Sequence, residues 1–594
     1  FDSWAADPSY GAKLNLASLD LIQSRNHILR AAMDALEPMS RQLLSTLALI
    51  SSAVDYETVA AFNPHLPPEP ETVKVPMKPE DDDIWDTSDA KEKAELRKKY
   101  KSDSAKRKAY EKDLQEWSES DAVHEASRKL TETMTDLEQR GLLHYDPHEQ
   151  RYDLHPVVRG VAAGSLKDDE KERYGQKVVD HFNSQPHSPY EQAKTIEDVE
   201  SGLQVVRTLL KLGRHQQAAD AYTGDVAGAL LHNLEAHVEM LSLLRPLFPL
   251  GWDQLPKDVD LHTACYLAND AAIGLAVLGE DKQEIGVYAA VLRVNLESKL
   301  WINSGICLSN ISNSLSFQNQ LAKAQQNSAL LLDLASASED DVNIFIARLD
   351  LYKHLSRSGL WLEAEAMENL IDPMGRQWNR TMYRQGSAEG QFAMSKFWQG
   401  RLQENHLSTA ATLAEQDHNR HDLRALHSLR GAWRMEQGEW ALAATSFTQA
   451  VTMAREARLV DEASETGLAL AKFHLGKFTD DEARNLAERL ASMRKPEHRT
   501  LALLWQAVRG LEQAKHHAVA AYTRAWADGE PHVRRYELTK TTELLHELGI
   551  PIPNLPPYDP SKDLPLPWEA DVQAVIEKLR KERTERKEKK EREE

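Results

Sequence analysis

Cysteine is nearly absent: Cys265 and Cys307 are the two thiols in 594 residues. Such a pair cannot build a disulfide framework or a cysteine-based zinc site, and both lie in apolar helical surroundings. Buried free thiols in a reducing compartment are therefore expected. Long apolar runs are missing too, and nothing near Phe1 has the charged, apolar, small-residue order of a signal peptide. That points to a soluble, cytoplasmic chain with no membrane partner. Positive charge is also short: 72 Lys and Arg face 93 Asp and Glu, for a net charge of -21. A phosphate backbone is repelled by that balance, so nucleic acid is an unexpected partner. Catalytic signatures are lacking. There is no G-x-x-x-x-G-K-[ST] loop, because Gly476-Lys477-Phe478 has neither the upstream glycine nor the hydroxyl that would hold magnesium. Neither a G-x-S-x-G elbow nor an H-E-x-x-H pair occurs. No catalytic residue, metal site or cofactor is expected within the chain, which as it stands does not read as an enzyme.

What is present is helical patterning, with 41% hydrophobic residues to bury. The chain opens in mid-pattern, and residues 1–23 read as the end of a linker from a domain upstream of Phe1. From Ser24 to Ala35, Ile28, Leu29, Ala32 and Leu36 recur at helical spacing. Pro38 then opens a second helix with Leu43, Leu44, Leu47 and Ile50 as its buried stripe. Asp55 reads as the cap of a third, Tyr56 to Phe62.

From Leu66 the texture changes. LPPEPETVKVPMKPEDDD is Pro-rich and acidic and cannot fold alone, while the charged run that follows, with sparse Leu96, Tyr100, Tyr110, Leu114 and Trp117, reads as an exposed helix or helical hairpin. Residues of about 65–122 are thus an insertion. The interrupted module resumes at His124 to Arg140, with Leu130, Met134 and Leu137 on one face and Gly141 as the stop. LLHYD and RYDLH then alternate around a turn as a hairpin, and Pro156 starts another helix. Helices, a further helix, then a hairpin is winged-helix order, giving a domain over 24–165.

Over 166–549 strand signals vanish and a second period overlies the helical one. Turns recur at Gly213, Gly279, near Asn319, at Gly359, near Asn405, at Gly438 and Gly476, and near Lys515. From Gly279 onward that spacing is the range of helix-pair repeats, predicting a mainly α chain whose winged helix is followed by an α-solenoid. The unit around Gly438, with Leu429, Ala432, Trp433, Trp440, Ala443, Phe447 and Ala450, resembles a tetratricopeptide repeat. Gly224 to Asp260 fits no unit. A Pro-rich connector follows over 550–567, then a charged helix or tail over 568–594. In that tail Val572, Val575, Ile576 and Leu579 could pack for two turns, with fraying expected beyond Arg580.

Two further features could carry chemistry. His418, His421 and His427 fall close together on a predicted helix, but Arg and Asp crowd the same stretch, which reads as a solvated surface rather than a metal site. His516-His517 is weaker still. The charged runs Lys91 to Lys112 and Lys578 to Arg592 interleave both signs and read as solvated faces, not nucleic-acid contacts.

LEQRGLLHYDPHEQRYDLHPVVRGVA, Leu137 to Ala162, resembles the end of the winged-helix domain of signal-transduction NTPases with numerous domains, the STAND class related to NB-ARC proteins. In that family the last strand closes with an apolar-His-(Asp or Pro) motif, matched by Leu154-His155-Pro156. The resemblance implies a switch whose NTPase domain lies upstream, with ADP or ATP as the cofactor of the longer protein. It carries to His155 a contact with the β-phosphate of bound ADP, the alternative being that His155 only closes the wing by hydrogen bonding to backbone. It also implies a protein or peptide trigger in the solenoid groove, whose residues cannot be named, an oligomer on activation, and a role in bacterial signalling or anti-phage defence. The alternatives are a DNA-binding regulator with inducer-binding repeats, whose candidate recognition helix has an acidic balance, and a plain repeat scaffold.

Overall fold

The computed structural model describes residues 29–70, 90–378 and 386–593. The readings for 1–23 and for the acidic half of the insertion fall outside them. The chain forms two compact units, 1–186 with 201–214, and 187–200 with 215–594.

In the first unit, Pro at the first turn opens α1 (Pro38–Leu49), where its missing N–H costs nothing. Leu43, Leu44, Leu47 and Ile50 are buried. Asp55 caps α2 (Tyr56–Ala61), its carboxylate accepting from the Thr58 N–H at 2.8 Å. The charged half of the insertion is one continuous helix, α3 (Ala90–Ser118), and not a hairpin. The next helix, α4 (Asp121–Gln139), starts before the expected His124 because Ser120 supplies a cap to the Val123 N–H. Gly141, left-handed at φ 66, stops it. β1 (His144–Asp146) and β2 (Arg151–Asp153) pair antiparallel with Tyr145 opposite Tyr152. Val54, between α1 and α2, exchanges both backbone bonds with Tyr152, at 2.9 and 2.7 Å. This bridge is the short first strand of a winged helix, too brief to mark itself in the sequence. α5 (Pro156–Gly164), α6 (Asp168–Ser184) and α7 (Glu200–Lys211) complete the unit apart from Glu200, with α1 packed against α4, α5 and α6.

The second unit is an α-solenoid. It begins with α8 (His215–Ala221) and an irregular stretch in which Gly224, at ψ -146, breaks the helix and π-type turns follow at Tyr222–Val226 and Ala229–Asn233. After α9 (His237–Leu244), seven helix pairs follow among the described residues. They are α10 (Leu261–Leu278) with α11 (Asp281–Glu297), α12 (Trp301–Phe317) with α13 (Leu321–Ser338), α14 (Asp341–Ser358) with α15 (Trp361–Trp378), and α16 (Ser387–Trp398) with α17 (Glu404–Gln416). Then come α18 (Arg420–Glu436) with α19 (Trp440–Glu456), α20 (Glu462–His474) with α21 (Asp480–Ala491), and α22 (His498–Ala507) with α23 (Leu511–Trp526).

Left-handed residues turn the chain within pairs at Gly279, Asn319, Gly359, Gly400, Gly438, Gly476 and Arg509. The turns expected near Asn405 and Lys515 are displaced: those residues lie inside α17 and α23, where polar first turns imitate loops. Helix α10 is long and apolar enough to cross a membrane by composition, and it packs within the stack with Leu267, Ala268, Ala271 and Ala272 fully buried. After α24 (Arg535–Glu547) the connector leads to α25 (Glu569–Glu593), which stays helical past Arg580 rather than fraying there.

Candidate functional site

His155 stands at the end of the wing as the N-cap of α5. Leu154 beneath it is buried, whereas the imidazole is exposed. Its Nδ1 accepts from the Val157 N–H at 3.3 Å. In a neutral ring an accepting Nδ1 leaves the proton on Nε2, so the ring offers one N–H donor beside a helix N-terminus. The capping role and the donor role are compatible, because they use different nitrogens.

The base under this histidine is braced by contacts no local pattern announced. One turn along α5, the Arg159 guanidinium donates to the Ser51 carbonyl at 2.8 Å and to Asp153 at 2.5 Å. Gln204 accepts from the Ser51 N–H at 3.0 Å and donates to the Ser52 hydroxyl at 2.7 Å. The Lys211 ammonium donates to the Leu49 carbonyl at 2.7 Å. Burial first, then the charges of Arg159 and Arg207, pull that lysine down to about 8. Two cations thus meet the carbonyl end of α1, the favourable pole of its dipole for positive charge.

On α4, the candidate recognition helix, the cations are engaged by their own helix. Arg128 pairs with Glu125 at 2.7 Å and Glu132 at 2.9 Å, and Arg140 pairs with Asp136 at 2.9 Å. A groove-reading surface would need those charges for phosphates.

In the solenoid the first helices of the first three pairs, α10, α12 and α14, are joined by polar rungs at a constant sequence offset. Asn310 donates to Asn269 at 2.9 Å, Ser309 to Asp350 at 2.6 Å, and Asn343 to the Ile302 carbonyl at 3.1 Å, each 41 positions apart. The Lys353 ammonium joins the Asp350 carboxylate at 3.3 Å. Burial raises the Asp350 carboxyl, and Lys353 and Ser309 oppose it. Burial lifts Asp270 to about 7, although the Tyr222 hydroxyl donates to it at 2.9 Å. Cys265 and Cys307 sit in this same buried region, pushed by burial to about 11 and about 12.

The histidine cluster is dispersed. His418 occupies a left-handed turn at φ 50, and His427 is half-buried. His421 instead joins Glu235, a fully buried carboxylate on a left-handed backbone at φ 49, at 3.0 Å. Arg424 grips the same carboxylate at 2.7 Å and reaches Asp461 at 3.3 Å. Burial works to raise Glu235, but the bonds from His421 and Arg424 outweigh it and hold the group at about 2. The irregular segment that fits no repeat is thereby anchored to α18, 189 positions along the chain. Farther on, His517 faces His498 with the Nδ1 atoms 3.0 Å apart. Among the described residues no group of His, Cys, Asp and Glu could hold a metal ion.

No protein-family model and no curated protein matches this chain. Among solved structures, the chain is similar to the crystal structure of a Signal Transduction ATPase with Numerous Domains (STAND) protein with a tetratricopeptide repeat sensor from Pyrococcus horikoshii. The alignment has 11% identity and a TM-score of 0.34, and covers 97% of this chain and 65% of the other. The chain therefore spans less than two thirds of the length of that protein.

Proposed function

We propose that this chain is the sensor and regulatory half of a STAND-type NTPase switch. The winged helix holds an ADP-bound resting state through His155, and the solenoid receives a protein or peptide trigger. The observation that carries this reading is the placement of His155: exposed, on a base braced by Arg159, Gln204 and Lys211, with Nε2 as the available donor. An N–H donor at a helix N-terminus suits a phosphate oxygen. In this reading His155 is the phosphate contact this chain contributes, and the phosphate-cradling loop, for which the sequence has no G-x-x-x-x-G-K-[ST] pattern, is contributed by another domain of the switch. A trigger shifts the resting population only through a difference in its affinity for the two states.

The test is the ADP content of the intact, longer protein after purification. Wild type should retain ADP, and His155→Ala should lose most of it with its circular dichroism unchanged. Equal retention in both would leave His155 as a cap alone. The DNA-binding alternative draws no support from α4, whose cations are paired in place.

A further inference from the structure

Helix α25 is a charged helix seated on the solenoid by a short apolar stripe. Trp568, Val572 and Ile576 are buried at a four-residue spacing, and the helix packs on α13 and α11. The Trp568 indole N–H donates to Asn327 at 2.7 Å, and Gln326 donates to Glu569 at 3.0 Å. One and two turns beyond the stripe, Arg580 meets Asp333 at 3.1 Å and Arg583 meets Glu339 at 3.0 Å. This is the pattern of an amphipathic helix read by a receptor face through spaced anchors, with charges setting its direction.

Three features make the seat separable from its occupant. Asn327 is held independently, donating to the Leu308 carbonyl at 2.7 Å and the Ser312 hydroxyl at 2.9 Å. Losing Trp568 therefore costs it one accepted bond and leaves its orientation fixed. The ion pairs are exposed, with both partners of Arg580–Asp333 near 60% (59% and 62%), so they guide more than they hold. Beside the indole, a cavity of about 30 Å³ lined by Ala289, Arg293, Leu296, Pro567, Trp568 and Asp571 leaves the packing between α11 and the start of α25 incomplete. The Pro-rich connector, fixed at the Pro556 carbonyl by the Trp526 indole at 2.7 Å, tethers the helix beside its seat.

We infer that the face shared by α11 and α13 is a docking site for a basic amphipathic helix of a partner protein, which the chain's own C-terminal helix occupies in cis. The partner helix carries an aromatic anchor, aliphatic residues four and eight positions later, and arginine or lysine at the next two turns. Charge favours it, because Asp333 and Glu339 flank the seat on a chain of net charge -21. This site names the partner class for the solenoid and rests on the sensor reading only for what binding signals.

The probe is a fluorescent peptide of residues 564–585, titrated by anisotropy against the full 594-residue chain. Tethering gives the resident helix a high effective concentration, so wild type should bind the peptide at least about tenfold more weakly than Val572→Asp, which releases the resident helix. Adding Asp333→Lys and Glu339→Lys to Val572→Asp should weaken the peptide severalfold. Equal affinity for wild type and Val572→Asp overturns the proposal, as does no binding to a Val572→Asp chain whose α13 amides remain protected from exchange. Should Val572→Asp fail to fold, a protease site placed at Ile552 in the wild-type chain gives the second test. After cleavage the C-terminal fragment should exchange with the peptide, and a fragment that never exchanges contradicts the proposal. Peptide binding can fail while His155→Ala still loses ADP, and the reverse, so the two readings fall separately.

Discussion

The two stretches of the solenoid, α10–α15 and α18–α22, repeat one topology with different chemistry. In the first, neighbouring pairs are joined by buried polar rungs 41 positions apart, with Ser309, Asn343 and Asp350 nearly inaccessible. In the second, the offset shortens to 36 between Ser428 and Ser464, and packing depends on small residues. There Phe447 fills a socket between Gly431 and Gly467, where an added Cβ would lie 2.6 and 2.4 Å from the ring. Ala443, Ala469 and Ala471 surround it in one apolar cluster. Helix pairs can thus be held in register either by hydrogen bonds that must all be satisfied or by close approach that tolerates no extra carbon.

That contrast can be broken from either side. The largest effect should come from Asp350→Ala, which strands the buried Ser309 hydroxyl and takes the carboxylate partner from the Lys353 ammonium, leaving that group its bond to Asn313. A loss of about 3 kcal/mol is expected from the broken pair and the orphaned hydroxyl, with faster hydrogen exchange in α12 and α14 and none gained in α18–α20. Next, Gly467→Ala should cost about 1–3 kcal/mol by overpacking against Phe447, with exchange rising in α18–α20 alone. If either substitution loosens both stretches equally, they are one cooperative block and the contrast fails.

Asp270 makes the first stretch sensitive to pH. Its folded value near 7 lies above the ordinary 3.8, so the native state binds the proton more tightly. Stability of the first stretch should fall as pH rises from about 4 to about 7 and level off beyond. Asp270→Asn should remove that slope and raise stability at about pH 8 by about 1–2 kcal/mol, measured by denaturant titration. Glu235 acts in the opposite sense: held at about 2 against an ordinary 4.5, it contributes stability that is lost as pH falls through that interval. The smallest effect is expected at Arg580→Ala, below about 0.5 kcal/mol for an exposed pair, visible only as weaker protection of α25.

Much of this architecture was legible because its causes are local. Pro38, Asp55 and Gly141 announce helix ends by their own backbone chemistry. Gly279, Gly359 and Gly438 do the same for the repeat. Arg509 gave no such signal, since a left-handed arginine is chosen by the turn around it and not by propensity. The Val54 strand is a single bridge with no period to detect. His155 was singled out through its family motif, while Arg159, Gln204 and Lys211 find their partners across the fold; the Gln204 bonds, for example, span about 150 residues. Glu235 was hidden for the same reason, and His421, whose stretch reads as a solvated surface, finds its carboxylate partner in the irregular segment.

If the proposed switch reading holds, nucleotide and solenoid are coupled through this chain. The most direct measurement is the ADP dissociation rate from the intact, longer protein in wild type, His155→Ala and Val572→Asp. Slow release is expected from wild type, fast release from His155→Ala, and faster release from Val572→Asp once the 564–585 peptide fills the vacated seat. Identical release from all three, with and without peptide, would contradict the coupling.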